Sequence, residues 1–131
     1  MEKRVCGMNK INVMEWISLK DSMQLDEILA ESKIKPVLIY KHSTRCNISR
    51  ATLDRLERKW DASAIGEIKR YFLDLISYRE ISNRIADMFQ VEHHSPQILV
   101  ISNGKSVLDL SHYEIEFDQI KSIYNKTAGN A

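Results

Sequence analysis

The sequence predicts an α/β fold with a mixed central sheet and helices on both faces. Three observations lead there. The first half of the chain alternates short apolar runs with amphipathic stretches, the pattern of strands joined through helical crossovers. Two runs, Val37-Leu38-Ile39-Tyr40 in the first half and Ile98-Leu99-Val100-Ile101 in the second, are continuously apolar, as strands covered on both faces are. The second half closes with Asn103-Gly104, a two-residue hairpin signal, and a last amphipathic stretch.

The elements follow in chain order. Residues 1–10 are polar and mixed, and are expected to form a flexible tail, with one domain over 11–131. Residues 11–19, with Val13, Trp16 and Ile17, have the apolar content of a strand. Residues 21–32 place Leu25, Ile28 and Leu29 on one helical face. Pro36 breaks that pattern and the buried strand at 37–41 begins. The helix after Cys46 sets Leu53, Leu56 and Trp60 on one stripe, while Arg50, Arg55, Glu57, Arg58 and Lys59 form a solvated face. Residues 65–67 are a loop, and 68–75 a second buried strand. Ser77-Tyr78-Arg79-Glu80 opens a helix whose face carries Ile81, Ile85 and Phe89, with Ser77 and Glu80 at capping-box spacing. Residues 90–95 are a loop, 97–102 a third strand, 106–110 its hairpin partner, and 115–124 a helix with Phe117, Ile120 and Tyr124 on one side. The order is β-α-β-α-β-α-β-β-α.

Composition bounds the function. The chain has 131 residues and a formal net charge of +1, so it is one domain by size and gives no sign of a general nucleic-acid binder. Two cysteines, Cys6 and Cys46, make no disulfide framework. No apolar run is long enough to span a bilayer and the first residues lack the apolar core of a secretory signal. A reducing, cytoplasmic setting is the expectation.

The stretch Lys41-His42-Ser43-Thr44-Arg45-Cys46-Asn47-Ile48-Ser49 carries the chemistry. Cys46 falls between a strand end and a helix start, where unpaired N–H groups and the helix dipole favour an anion. That placement lowers a thiol's pKa and yields a nucleophilic thiolate, and Arg45 adds a positive charge beside it. A cysteine is more often a small buried hydrophobe, but the polar flanks Ser43, Thr44, Arg45, Asn47 and Ser49 are unlike a core site. Ser49 stands where the second cysteine of a C-x-x-C pair would be. Asn47 keeps an N–H able to contact the thiolate, and Ser49 has a hydroxyl able to donate to it. The carboxyl edge of a central strand is also where open α/β sheets place their sites. His42, His93, His94 and Cys46 match no closed zinc spacing, so no metal is expected. Asp74 is either a proton-handling group or the exposed end of its strand. No nucleotide-binding glycine pattern is present.

The same stretch, together with Ile81-Ser82-Asn83 and His94-Ser95-Pro96-Gln97, resembles the bacilliredoxin-like (bacillithiol system redox-active) family of monothiol proteins in the thioredoxin superfamily. The similarity runs from about Trp16 to Tyr124, and its specific element is Thr-Arg-Cys-x-Ile-Ser with a downstream Ser-Pro-Gln. The family pattern has proline after the cysteine where this chain has Asn47. The resemblance implies a thioredoxin-like fold and thiol–disulfide exchange on protein cysteines capped by bacillithiol, a low-molecular-weight thiol. Cys46 would be the attacking cysteine, Pro96 a cis-proline opposite it, and Ser95 the residue whose backbone pairs with the substrate. No bound cofactor is implied; bacillithiol is the co-substrate. With no second cysteine nearby, free bacillithiol, Cys6 as a resolving thiol, or a flavoprotein reductase upstream must complete the cycle. Two other classes stay open: a non-catalytic thioredoxin-like binding or redox-sensing module, and a cysteine peroxidase. The peroxidase string Pro-x-x-x-Thr-x-x-Cys fails here, because Ile39 occupies its proline position although Ser43 fits the hydroxyl.

Overall fold

The computed structural model describes residues 15–45, 47–65 and 68–129. Five strands form one sheet in the order β1-β3-β2-β4-β5, with β1 at Ile17–Ser18, β2 at Val37–His42, β3 at Lys69–Asp74, β4 at Gln97–Ser102 and β5 at Lys105–Ser111. β1, β3 and β2 run parallel; β4 is antiparallel to β2, and β5 to β4. The sheet is therefore mixed, as the sequence pattern requires. Five helices accompany it: α1 at Met23–Ser32, α2 at Asn47–Lys59, α3 at Ala62–Ile65, α4 at Arg79–Phe89 and α5 at Phe117–Gly129.

Each central strand buries both faces, so residues of opposite parity feed two cores. Leu38 and Tyr40 of β2, with Ile98 and Val100 of β4, pack against Leu56 of α2, Trp60 just after it, and Phe117, Ile120 and Tyr124 of α5. Val37 and Ile39, with Leu99 and Ile101, pack against Leu25 and Ile28 of α1 and Ile81, Ile85 and Phe89 of α4. Fully burying one such side chain contributes about 1.5–3 kcal/mol. The helical stripes expected from the sequence are the faces that pack.

Three details differ from the sequence pattern. β1 is a two-residue strand within the expected 11–19, of which 11–14 lie outside the described residues. α3 occupies 62–65, ahead of a loop expected at 65–67, of which 66 and 67 are also outside; Asp61 nucleates it by accepting from the N–H and hydroxyl of Ser63. The expected capping box at Ser77 and Glu80 does not form. α4 starts at Arg79 with Tyr78 as its N-cap and no side-chain cap bond. Asp74 takes the Ser77 hydroxyl at 3.0 Å and the Ile76 N–H at 3.2 Å, and builds a turn there instead. The Asn103-Gly104 hairpin is as expected: both residues have positive φ, 52° and 74°, as a type I′ turn demands.

The carboxyl end of β2 matters most for the site. Lys41 is paired with Gln97 in the antiparallel ladder, so the residues just before β4 lie at the same sheet edge as the start of α2. Arg55 fixes α2 to the following layer, donating to Ile115 O at 2.7 Å and Tyr113 O at 3.3 Å. Trp16 Nε1 donates to Glu57 at 2.8 Å from the other side.

Candidate functional site

The two cysteines, Cys46 and Cys6, lie outside the described residues. The residues flanking Cys46 in sequence are described, and they define the junction between β2 and α2. Thr44, Arg45 and Asn47 are exposed; Asn47 Oδ1 accepts from Arg50 at 3.1 Å, within the first turn of α2. Ser49 is different: it is 0 % exposed. Its hydroxyl oxygen accepts the Ser43 N–H at 3.1 Å and lies 2.8 Å from His42 Nδ1. Its carbonyl accepts the Tyr40 hydroxyl at 3.1 Å. The loop between strand and helix is thus stitched to the first turn of α2 by one serine.

His42 is held neutral. Burial pushes its pKa down, a nearby Asp74 partly offsets this, and Arg50 adds to the lowering. Its ring packs 5.2 Å from Phe72 and 6.2 Å from Tyr40. The Ser49 hydroxyl both donates and accepts: with Nδ1 unprotonated the neutral His42 ring accepts the Ser49 proton, and with Nδ1 protonated the ring donates to the hydroxyl oxygen. The geometry assigns Ser49 a role at the junction that C-x-x-S spacing alone does not reveal.

Ser95 and Pro96 stand across the same edge. The Ser95–Pro96 peptide is cis. Pro96 is buried, and its carbonyl accepts the His112 N–H at 3.0 Å. The Ser95 hydroxyl is shielded from solvent and has no hydrogen-bond partner among the described residues. His94 packs edge-on against His112 at 5.6 Å and pairs with Glu92 at 3.0 Å. The fold therefore sets Thr44, Arg45, Asn47 and Ser49 on one side of the edge and Ser95 and Pro96 on the other.

The candidate metal set separates. His42 faces the α2 core, with Phe72 and Tyr40, whereas His93 faces the α4 side, 3.2 Å from the Ser82 hydroxyl. Among the described residues no three His, Cys, Asp or Glu side chains gather closely enough to hold an ion. Asp74 ends β3, half-buried and spent on its own turn.

Sequence reasoning passed over a second polar cluster, on the α4 side. Lys41 and Gln97 are each 0 % exposed. Their parity was the available signal: Lys41 shares its face with Val37 and Ile39, both fully covered.

Solved structures place the fold. The chain is similar to a structure put forward as an oxidoreductase with a thioredoxin fold, at 27% identity and a TM-score of 0.69, over 81% of this chain and 90% of that one. It is similar in fold to a thioredoxin of Fasciola hepatica (16% identity, TM-score 0.64, 85% and 98% of the two chains). A thioredoxin of Malassezia sympodialis is similar to the same degree (12% identity, TM-score 0.68, 92% and 97%). The protein is a thiol–disulfide oxidoreductase with the thioredoxin fold. The family model of the monothiol bacilliredoxin BrxC matches residues 17–120, and the chain belongs to that family. Its redox partners are accordingly those of the bacillithiol system in general. Among the described residues no helix is long and apolar enough to cross a membrane.

Proposed function

We propose that this protein removes bacillithiol, or a closely similar low-molecular-weight thiol, from mixed disulfides on protein cysteines, in the cytoplasm, with Cys46 as the attacking nucleophile. The observation that carries the reading is the β2–α2 junction. One cysteine stands directly before α2, Ser49 fills the position of a second, and the cis Ser95–Pro96 peptide lies across the same sheet edge.

The Cys46 thiolate attacks the bacillithiol sulfur of the capped substrate. The substrate's S–S bond breaks as the Cys46–bacillithiol disulfide forms. The substrate sulfur leaves as a thiolate and takes a proton from water. A second thiolate then attacks the bacillithiol sulfur on Cys46 and regenerates the Cys46 thiolate. When that second thiol is free bacillithiol, the product is bacillithiol disulfide, and a flavoprotein reductase upstream supplies the two electrons that return it to the thiol. Cys6 is the alternative resolving thiol. The cycle uses bacillithiol as co-substrate and needs no resident cofactor.

Supporting groups follow from position. Arg45 places a positive charge beside the thiolate in sequence, Thr44 and Asn47 present polar groups around it, and the unpaired N–H groups at the start of α2 favour the anion. The main chain at Ser95 offers an edge for the substrate's extended backbone.

The test is intact-protein mass after mixing the reduced full chain with a bacillithiolated and, separately, a glutathionylated model protein, for wild type, Cys46→Ser and Cys6→Ser. The expected result is a bacillithiol adduct on wild type and Cys6→Ser, cleared by added bacillithiol and absent from Cys46→Ser. A Cys6–Cys46 disulfide in place of the adduct assigns Cys6 as resolving thiol. No adduct from either substrate overturns the reading in favour of a non-catalytic module.

A further inference from the structure

Lys41 is a lysine with no solvent access at the end of a central strand. Its ammonium donates to the Ser82 carbonyl at 3.2 Å and to His93 Nδ1 at 3.4 Å. An ammonium only donates, so this ring nitrogen accepts, and His93 is neutral with its proton on Nε2. Burial, helped by Lys41, Arg79 and His94, pushes the His93 pKa down in agreement with that assignment. The Ser82 hydroxyl lies 3.2 Å from the same nitrogen.

Gln97 sits beside Lys41 across the β2–β4 ladder. Its Nε2 donates to the Glu92 carbonyl at 2.9 Å and to Asp109 Oδ1 at 2.8 Å, and its Oε1 accepts the His94 N–H at 3.3 Å. Glu92, His93 and His94 are three successive loop residues, and each is held from beneath by one of these two side chains. The next two residues are Ser95 and Pro96. From the other side, the His112 N–H holds the Pro96 carbonyl. His112 itself has a left-handed backbone, φ 53°, an uncommon conformation for a residue with a side chain and one that clusters near functional sites.

Burying a lysine is expensive, and an apolar side chain of similar volume would fill the same space at lower cost. A buried polar network that ties three successive residues of one loop to α4 and β5 is accounted for by what it does to that loop. We propose that Lys41 and Gln97 are positioning residues that fix the 92–96 loop, and with it the Ser95 main-chain edge on which the protein substrate docks. The inference rests on the proposed exchange reaction for its consequence, and on the hydrogen bonds above for the clamp. The groups facing Lys41 are His93 from the loop, Ser82 from α4, Gln97 from β4 and Asp109 from β5, while Arg79 and His94 act on His93.

The experiment uses the reduced full chain as wild type, Lys41→Met and Gln97→Leu. Two variants are used because each cuts a different set of ties to the loop. Amide hydrogen exchange across residues 92–95 is measured first, since it does not depend on activity. The expected result is exchange about fivefold faster at His94 and its neighbours in both variants, with β2 and α4 unchanged, as the loss of about 1 kcal/mol of local hydrogen bonding predicts. Steady-state exchange on a bacillithiolated protein is measured second. The expectation is a KM about fivefold higher with kcat within twofold, and unchanged alkylation of Cys46 by iodoacetamide, because binding is impaired and the nucleophile is not.

Wild-type protection across 92–95 in both variants overturns the clamp. Faster loop exchange with an unchanged KM overturns the docking role. A general rise in exchange across β2 and α4, with alkylation altered in step, makes both residues structural and overturns the proposal. A wild type that shows no thiol exchange defeats the proposed function and the docking consequence with it, while the hydrogen-exchange comparison still decides the clamp.

Discussion

Lys41 and His42 are neighbours on β2 and point to opposite faces of the sheet, and the two polar clusters they anchor are built differently. His42 joins Ser43 and Ser49, all within seven positions of one another, and the ring is neutral among aromatic neighbours. Lys41 joins Ser82 and His93, with Gln97 beside it drawing in Glu92, His94 and Asp109, from four separate elements of the chain. The first cluster shapes the turn that precedes α2. The second holds the loop that precedes β4. One strand end therefore organises both sides of the site, one through local hydrogen bonds and the other through long-range ones.

The sharpest way to separate the clusters is by pH. Burial lowers the Lys41 pKa from 10.5 to about 8, with Asp109 opposing. The folded form thus sheds this proton before the unfolded chain does. Between pH 8 and 10.5 the unfolded chain binds more protons, and stability rises with pH by up to about 3 kcal/mol from this group. Lys41→Met is expected to lose that rise, and chemical denaturation at pH 7.5 and 10.5 measures it. Equal pH dependence in variant and wild type breaks the assignment of Lys41 as a buried charge.

Ser49→Ala tests the local cluster. It leaves the Ser43 N–H and His42 Nδ1 without their shared partner, at a cost of about 1–3 kcal/mol. Urea denaturation at pH 7.5 reads this directly, and a loss below about 0.5 kcal/mol would mean the serine is replaceable by water.

The two histidines give the smallest effect, and one in which both clusters act alike. His42 and His93 are both lowered from 6.5, chiefly by burial. Below that value the unfolded chain protonates first, so stability falls as pH drops through 6.5 towards the folded values. His42→Gln and His93→Gln are each expected to remove part of that acid sensitivity, seen as a flatter thermal midpoint between pH 7 and 5. If neither variant is flatter than wild type, the neutral assignment of both rings fails.

The contrast between the clusters also explains what the sequence could disclose. Alternating apolar runs, the stripe of Leu53, Leu56 and Trp60, and Asn103-Gly104 specify elements through short-range physics, and each appears in the structure. The string around Cys46 is legible for the same reason, since a nucleophile before a helix is a local feature. Lys41 falls within the strand read as buried, but what covers its side chain was not legible. Its covering comes from Ser82 and from loop residues 92–94, more than forty positions away, and a lysine at a strand end ordinarily marks the way out to solvent. Parity with Val37 and Ile39 was the only clue. The capping-box spacing at Ser77 misled because Asp74, three residues earlier, competes for the same hydroxyl. Among the described residues β1 is a two-residue strand, with Ile17 and Ser18 aligned with Tyr71 and Phe72 of β3.

The claim on which the account depends is that Cys46 is an activated thiolate. The most direct measurement is the rate of Cys46 alkylation by iodoacetamide as a function of pH, in the Cys6→Ser background so that one thiol is followed. The account predicts a midpoint clearly below the value of about 8.5 for a free cysteine. A midpoint at or above that value would contradict it, and would leave a thioredoxin-fold protein whose single junction cysteine is not poised for exchange.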